Sequence, residues 1–196
     1  MGFHVSTLHN LPTGNIKQFV HVLDLTGGVH ARWIAENLHA LAAEFGPTAG
    51  LVTGTQDLTD ELYQFLVKHV AEDFDAIESI LHSTTCLVVS EGHLSSTSKP
   101  VYLLPLSPPE LTDAAHKMIT ALLSMLADSI KQGRLAEFVS GLGAVKLGLT
   151  KAGGGVVVCT LREMNKMLEL KPNVAGLGLN LNAIVEKLLP PEARAF

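Results

Sequence analysis

Cysteine is scarce in this chain. Its two copies, Cys86 and Cys159, sit inside apolar runs with no C-x-x-C spacing. That pattern argues against a disulfide framework or a cysteine zinc site, and both residues read as buried reduced thiols of a cytoplasmic protein. Basic charge is equally thin: 14 Lys and Arg are scattered along a chain of net charge −5. A general nucleic-acid binder would gather them on one surface, and no such stripe is present. Long hydrophobic runs are missing too. The longest apolar helical stretch, about residues 119–127, is bounded by Lys117 and Asp128 and is too short to span a bilayer. The first residues have neither the basic start nor the continuous apolar core of a secretory signal. Met1-Gly2 with Ser6 matches an N-myristoylation pattern, although residues 3–8 look like a buried strand. Repeats and low-complexity segments are absent.

Apolar side chains, by contrast, are plentiful. With 196 residues, 47% hydrophobic and 17% charged, the chain can bury a sizeable core and is too apolar to be disordered. One main domain over residues 1–131, with a small glycine-rich extension over 132–196, is the expected organisation.

Residues 3–8 alternate apolar and polar, residues 16–25 form a second extended run, and Leu11-Pro12-Thr13-Gly14-Asn15 carries turn chemistry between them. The expectation is an N-terminal antiparallel strand pair. The second run loses its alternation at Val22-Leu23-Asp24-Leu25, as a strand does on entering a sheet covered on both faces. Ile34, Leu38, Leu41 and Phe45 then fall at helical spacing, up to the stop at Gly46-Pro47. Residues 50–54 are a short buried strand, and Asp57 opens a helix carrying Leu58, Leu62, Phe65, Leu66 and Val70. Residues 74–81 form another helix. Strand, helix, strand, helix implies a parallel crossover, and hence an α/β, Rossmann-like domain with a mostly parallel central sheet and flanking helices.

Residues 84–90 are the strongest central-strand candidate. The polar loop 91–99 before the next strand, 100–104, is too short for a helical crossover, so the two strands either pair antiparallel or belong to different layers. Ser107-Pro108-Pro109-Glu110 is a capping box that starts a helix running to about Lys131. One apolar seam holds Leu111, Ala115, Met118, Leu122 and Met125; a second holds Ile119, Leu123, Leu126 and Ile130. Two seams mean burial on more than one side, by a core helix or by a homodimer through residues 108–131. The remainder reads as α+β: a strand at 156–159, a helix opened by Thr160-Leu161-Arg162-Glu163, a bare face left by Gly176 and Gly178, and a short helix over 182–189.

In an open parallel sheet, ligands gather at the carboxyl ends of the strands. Those ends carry Asp24, Thr26, Gly27 and Gly28, then Thr53, Gly54, Thr55 and Gln56, then Ser90, Glu91, Gly92 and His93. The first two differ electrostatically. Asp57, Asp60 and Glu61 already place negative charge at the start of the second helix. The first helix start has glycines, no carboxylate in its first turn, and His30 and Arg32 where the dipole disfavours a cation. A bound anion would relieve that cost and take the free N–H groups. Thr26-Gly27-Gly28 is neither a Walker A sequence nor the three-glycine dinucleotide fingerprint. The expected function is binding of a nucleotide-like or phosphorylated small molecule, with Thr26, Gly27, Gly28, His30, Arg32, Thr53, Gly54, Thr55 and Ser90 as ligand-binding candidates.

Two other classes compete with it: the assembly module already described, and a small hydrolase using Glu91 and His93, with Asp24 on the same edge. The nine histidines lack metal-ligand spacing, and His4 and His21 are expected to face each other across the first strand pair. Ala76-Ile77-Glu78-Ser79 leading to Cys86-Leu87-Val88-Val89-Ser90-Glu91-Gly92-His93-Leu94-Ser95-Ser96 resembles the helix-strand-loop of TIR domains, an α/β family that binds or cleaves NAD. That resemblance covers a small part of the chain, and Thr97-Ser98-Lys99-Pro100 stands where the family's Trp-Cys pair and catalytic glutamate would follow. It implies no more than a nucleotide-type ligand.

Overall fold

The computed structural model describes residues 1–12, 14–70, 74–94, 99–106, 113–141, 145–147 and 156–158. Its strands are β1 (Gly2–Val5), β2 (Gln18–Leu23), β3 (Ala49–Gly54), β4 (Cys86–Glu91), β5 (Val101–Pro105) and two three-residue strands, β6 (Val145–Leu147) and β7 (Val156–Val158). The helices are α1 (Val29–Glu36), α2 (Leu38–Ala43), α3 (Gln56–Val70), α4 (Phe74–Ser83), α5 (Asp113–Lys131) and α6 (Leu135–Gly141). Helices and strands form one mixed α/β arrangement around an open sheet of order β1-β3-β2-β4-β5-β7-β6.

The sheet is mixed rather than mostly parallel. β1 with β3, β2 with β3, and β5 with β7 are parallel; β2 with β4, β4 with β5, and β6 with β7 are antiparallel. The expected N-terminal antiparallel pair does not form, because β3 lies between β1 and β2. Residues 6–17 carry the chain from the end of β1 back to the start of β2, with Leu8 and Leu11 buried on the way. A return of about a dozen residues is near the minimum for a parallel connection, and it contains no α-helix to announce itself. For the same reason His4 and His21 are not cross-strand neighbours: His4 stands opposite Thr53, and His21 opposite Val52.

The direction of β4 follows from the path of the connections. A single helical layer, α1 with α2, returns the chain from the end of β2 to the start of β3, giving a parallel pair. Two successive helices, α3 and α4, bring it back to the end where β3 finished, so β4 enters from that end and runs antiparallel to β2. β4 is central, as expected, and β5 pairs with it antiparallel.

Alternation along the strands sends side chains to two cores. On one face Val20, Val22, Leu51, Leu87 and Val89 pack with α1, α2, α5 and α6; on the other Phe19, Leu23, Val52, Cys86 and Val88 pack with α3 and α4. Each fully buried Leu or Ile stabilises the fold by about 1.5–3 kcal/mol before the entropy of ordering it is counted. The residues of α5's two seams from Ala115 to Ile130 are all buried within the chain. They serve the core, and residues 107–112, with the capping box, lie outside the described residues. Leu135, Phe138 and Val139 of α6 join the same core, and β6 and β7 extend the same sheet. The readings for 159–196, including Cys159, also lie outside the described residues. Among those described, no helix is long and apolar enough to cross a membrane.

The helical stretch expected over residues 29–45 is broken once. Asn37 leaves the helical region (φ −105°, ψ 14°), and its side-chain amide donates to the Trp33 carbonyl at 2.9 Å, the local competition that asparagine offers a helix. Trp33 itself stacks on His116 of α5, with ring centroids 4.6 Å apart and planes 14° from parallel.

Candidate functional site

The site begins with the residue that follows β2. Alternation puts Asp24 on the same face as Val20 and Val22, beneath the start of α1. The loop that follows folds around its carboxylate. Oδ1 accepts the Thr26 N–H at 3.1 Å and the Thr26 hydroxyl at 2.9 Å, and Oδ2 accepts the Gly28 N–H. Gly27 turns the chain with a φ of 68°. At Gly28 an added Cβ would lie 3.1 Å from Thr85 Oγ1, 3.2 Å from Thr26 Oγ1 and 3.3 Å from Asp24 Oδ1. A side chain there would require these oxygens to give by a few tenths of an ångström.

Between this loop, α1 and the end of β3 lies a cleft of about 240 Å³. β2 contributes Val22; the loop after it and α1 contribute Asp24, Gly27, Ala31, Arg32 and Ala35; β3, α3 and the residue between them contribute Thr53, Gly54, Thr55, Gln56 and Thr59. Gly54 is compelled by packing: a Cβ there would stand 2.3 Å from the Val5 carbonyl oxygen and 2.4 Å from Leu58 Cδ2. Thr53 is buried, and its hydroxyl is hydrogen-bonded to His4 Nδ1 at 3.1 Å. The Thr55 hydroxyl donates to the Ser6 carbonyl, and the Gln56 amide donates to Asp60. Arg32 is exposed on the lip and makes neither an ion pair nor a side-chain hydrogen bond among the described residues.

Two larger hollows, of about 490 and 530 Å³, lie against Met1 and Pro47 and are chemically plainer. Among the described residues, one offers His39 and the other Lys17 as its ionisable side chain. Neither gathers charges of both signs, and the smaller cleft is the more specific site.

The electrostatic contrast drawn from sequence requires a correction. α1 indeed has no acidic residue in its first turn and no side-chain cap, whereas α3 has Asp57 in its first turn. Yet Asp24 supplies a carboxylate to the loop just ahead of α1, so the Thr26 and Gly28 N–H groups are not open to an anion. Its charge is felt beyond the loop. Burial chiefly, and Asp24 secondarily, push the Cys86 thiol up to about 12, leaving it protonated and unreactive at neutral pH.

Of the ligand-binding candidates, Gly27, Arg32, Thr53, Gly54 and Thr55 line the cleft together with Asp24. Thr26 and Gly28 hold Asp24 rather than the cleft, and His30 is buried in α1 outside the lining. Ser90, Glu91 and His93 are at the other end of the sheet, because β4 runs antiparallel: Ser90 stands opposite Phe19 and Glu91 opposite Gln18. The Ser90 hydroxyl donates to the Gly92 carbonyl, Glu91 is ion-paired with Lys99, and His93 Nε2 is hydrogen-bonded to the Leu8 carbonyl at 2.7 Å. They therefore share no edge with Asp24.

The same reversal brings Thr85 to the cleft end, where its buried hydroxyl has no hydrogen-bond partner among the described residues. Sequence reasoning missed Thr85 and the His4 contact to Thr53. Thr85 precedes β4 and becomes visible only once that strand's direction is known. The chain matches no family model, no characterised protein and no solved structure.

Proposed function

We propose that this protein binds a small phosphorylated molecule, nucleotide-like in its phosphate chemistry, in the cleft between α1 and the ends of β2 and β3. The observation that carries the reading is Arg32, a guanidinium on the lip of the cleft that has no ion pair or side-chain hydrogen bond among the described residues. A phosphate there pairs with Arg32. Thr53 and Thr55 line the facing wall. Size narrows the ligand. At about 240 Å³ the cleft falls below the ~300–1,000 Å³ of sites that enclose drug-sized ligands, so it takes a compact phosphomonoester or one phosphate-bearing end of a nucleotide.

A thermal-shift screen of phosphorylated metabolites tests this. A ligand at 100 times its Kd should stabilise the fold by about 2.7 kcal/mol, and the shift should vanish in Arg32→Ala. Hits that persist undiminished in Arg32→Ala would remove the proposed site.

A further inference from the structure

We infer that the ligand of this cleft is a hydroxylated phosphomonoester, a small polyol or sugar phosphate, rather than a phosphate group as such. The inference rests on the cleft reading above and comes from its second charge. Asp24 and Arg32 line the same cleft but form no ion pair with each other. The lining is therefore balanced in formal charge, and a bare phosphate that gains from Arg32 is opposed by Asp24.

Asp24 is also incompletely used. A carboxylate offers about four acceptor positions. Among the described residues Thr26 occupies two on Oδ1 and Gly28 one on Oδ2, which leaves one position unused on a residue that lines the cleft. The loop holds that carboxylate in place before any ligand arrives, so little ordering opposes its use. A ligand hydroxyl donating to Asp24 while its phosphate meets Arg32 satisfies both charges and turns the repulsion into a selection rule. A phosphate ester without the hydroxyl leaves Asp24 facing the ligand unpaired.

Isothermal titration of the full chain with propyl phosphate and glycerol 3-phosphate, which differ in the hydroxyls, is the test, with inorganic phosphate as third probe. Glycerol 3-phosphate should bind at least about tenfold more tightly than propyl phosphate, the effect of one hydrogen bond to a charged acceptor. Asp24→Asn should shrink that ratio to about twofold, and Arg32→Ala should abolish binding of both esters. Equal affinity for the two esters, lost in Arg32→Ala, would overturn the hydroxyl requirement and leave the cleft reading standing. Failure of all three probes to bind in an Arg32-dependent way would overturn both. The comparison of esters uses the unaltered chain, so it holds even where Asp24→Asn fails to fold.

Discussion

The two ends of β2 carry similar chemistry put to opposite uses. At its start, Glu91 meets Lys99, and Ser90 and His93 are hydrogen-bonded to backbone carbonyls. At its finish, Asp24 and Arg32 face a common cleft without meeting. A carboxylate and a cation are present at each end. What separates a structural end from a candidate binding end is whether the charges have already found one another.

Breaking the cleft's floor should have the largest effect. Gly54→Ala forces a Cβ into the Val5 carbonyl and the Leu58 side chain, and backbone cannot yield as a side-chain tip can. Urea denaturation should show a loss of about 3 kcal/mol or more; a loss below about 1 kcal/mol would mean that β1, β3 and α3 are not packed as closely as described.

The middle of β2 sharpens the contrast by a group that neither end satisfies. His21 is fully buried, its ring stacked on Phe19, and neither ring nitrogen has a hydrogen-bond partner among the described residues. Burial first, and the nearby His93 charge second, lower its pKa to about 3. An unfolded histidine titrates near 6.5. Between these values the unfolded chain binds the extra proton, so the stability contribution is whole above about pH 6.5 and is lost as pH falls toward 3. By pH 4.5 the His21 part should amount to about 3 kcal/mol. His21→Leu should flatten that portion of the curve; an unchanged acid limb would show that His21 is hydrated or protonated in the fold.

The smallest and most pointed comparison sets Asp24→Asn against Glu91→Gln. Asparagine keeps one acceptor oxygen but cannot receive the Gly28 N–H as well, which should cost about 1–2 kcal/mol. Glu91→Gln, at an exposed ion pair, should leave Tm within experimental error. Equal losses would erase the distinction between the two ends.

Much of this was legible in residue pattern, and what was not had a common cause. Apolar periodicity located β2, β3, β4 and the helical stretches of α1 to α5, because burial imposes it on each element locally. Strand direction is not local. Turn residues at 11–15 suggested a hairpin, yet the chain used residues 6–17 to pass behind β3. The pair α3 and α4 reversed β4, which separated Ser90, Glu91 and His93 from Asp24 and substituted Thr85. Gly27, Arg32, Thr53, Gly54 and Thr55 could be grouped in advance because β2 and β3 are joined by one helical layer, the connection whose outcome is nearly forced. Asp24's hold on the loop was missed because it is a side-chain contact across four residues, with no periodic signature.

The stack of Trp33 on His116 has a practical consequence. Trp33 is the chain's single tryptophan, next to Arg32 in the helix that roofs the cleft, and its indole lies flat against an imidazole from α5. The molecule thus carries its own fluorophore, stacked on a ring from a different helix. Any ligand that draws α1 toward the cleft alters that separation, and the emission intensity records the event without a label.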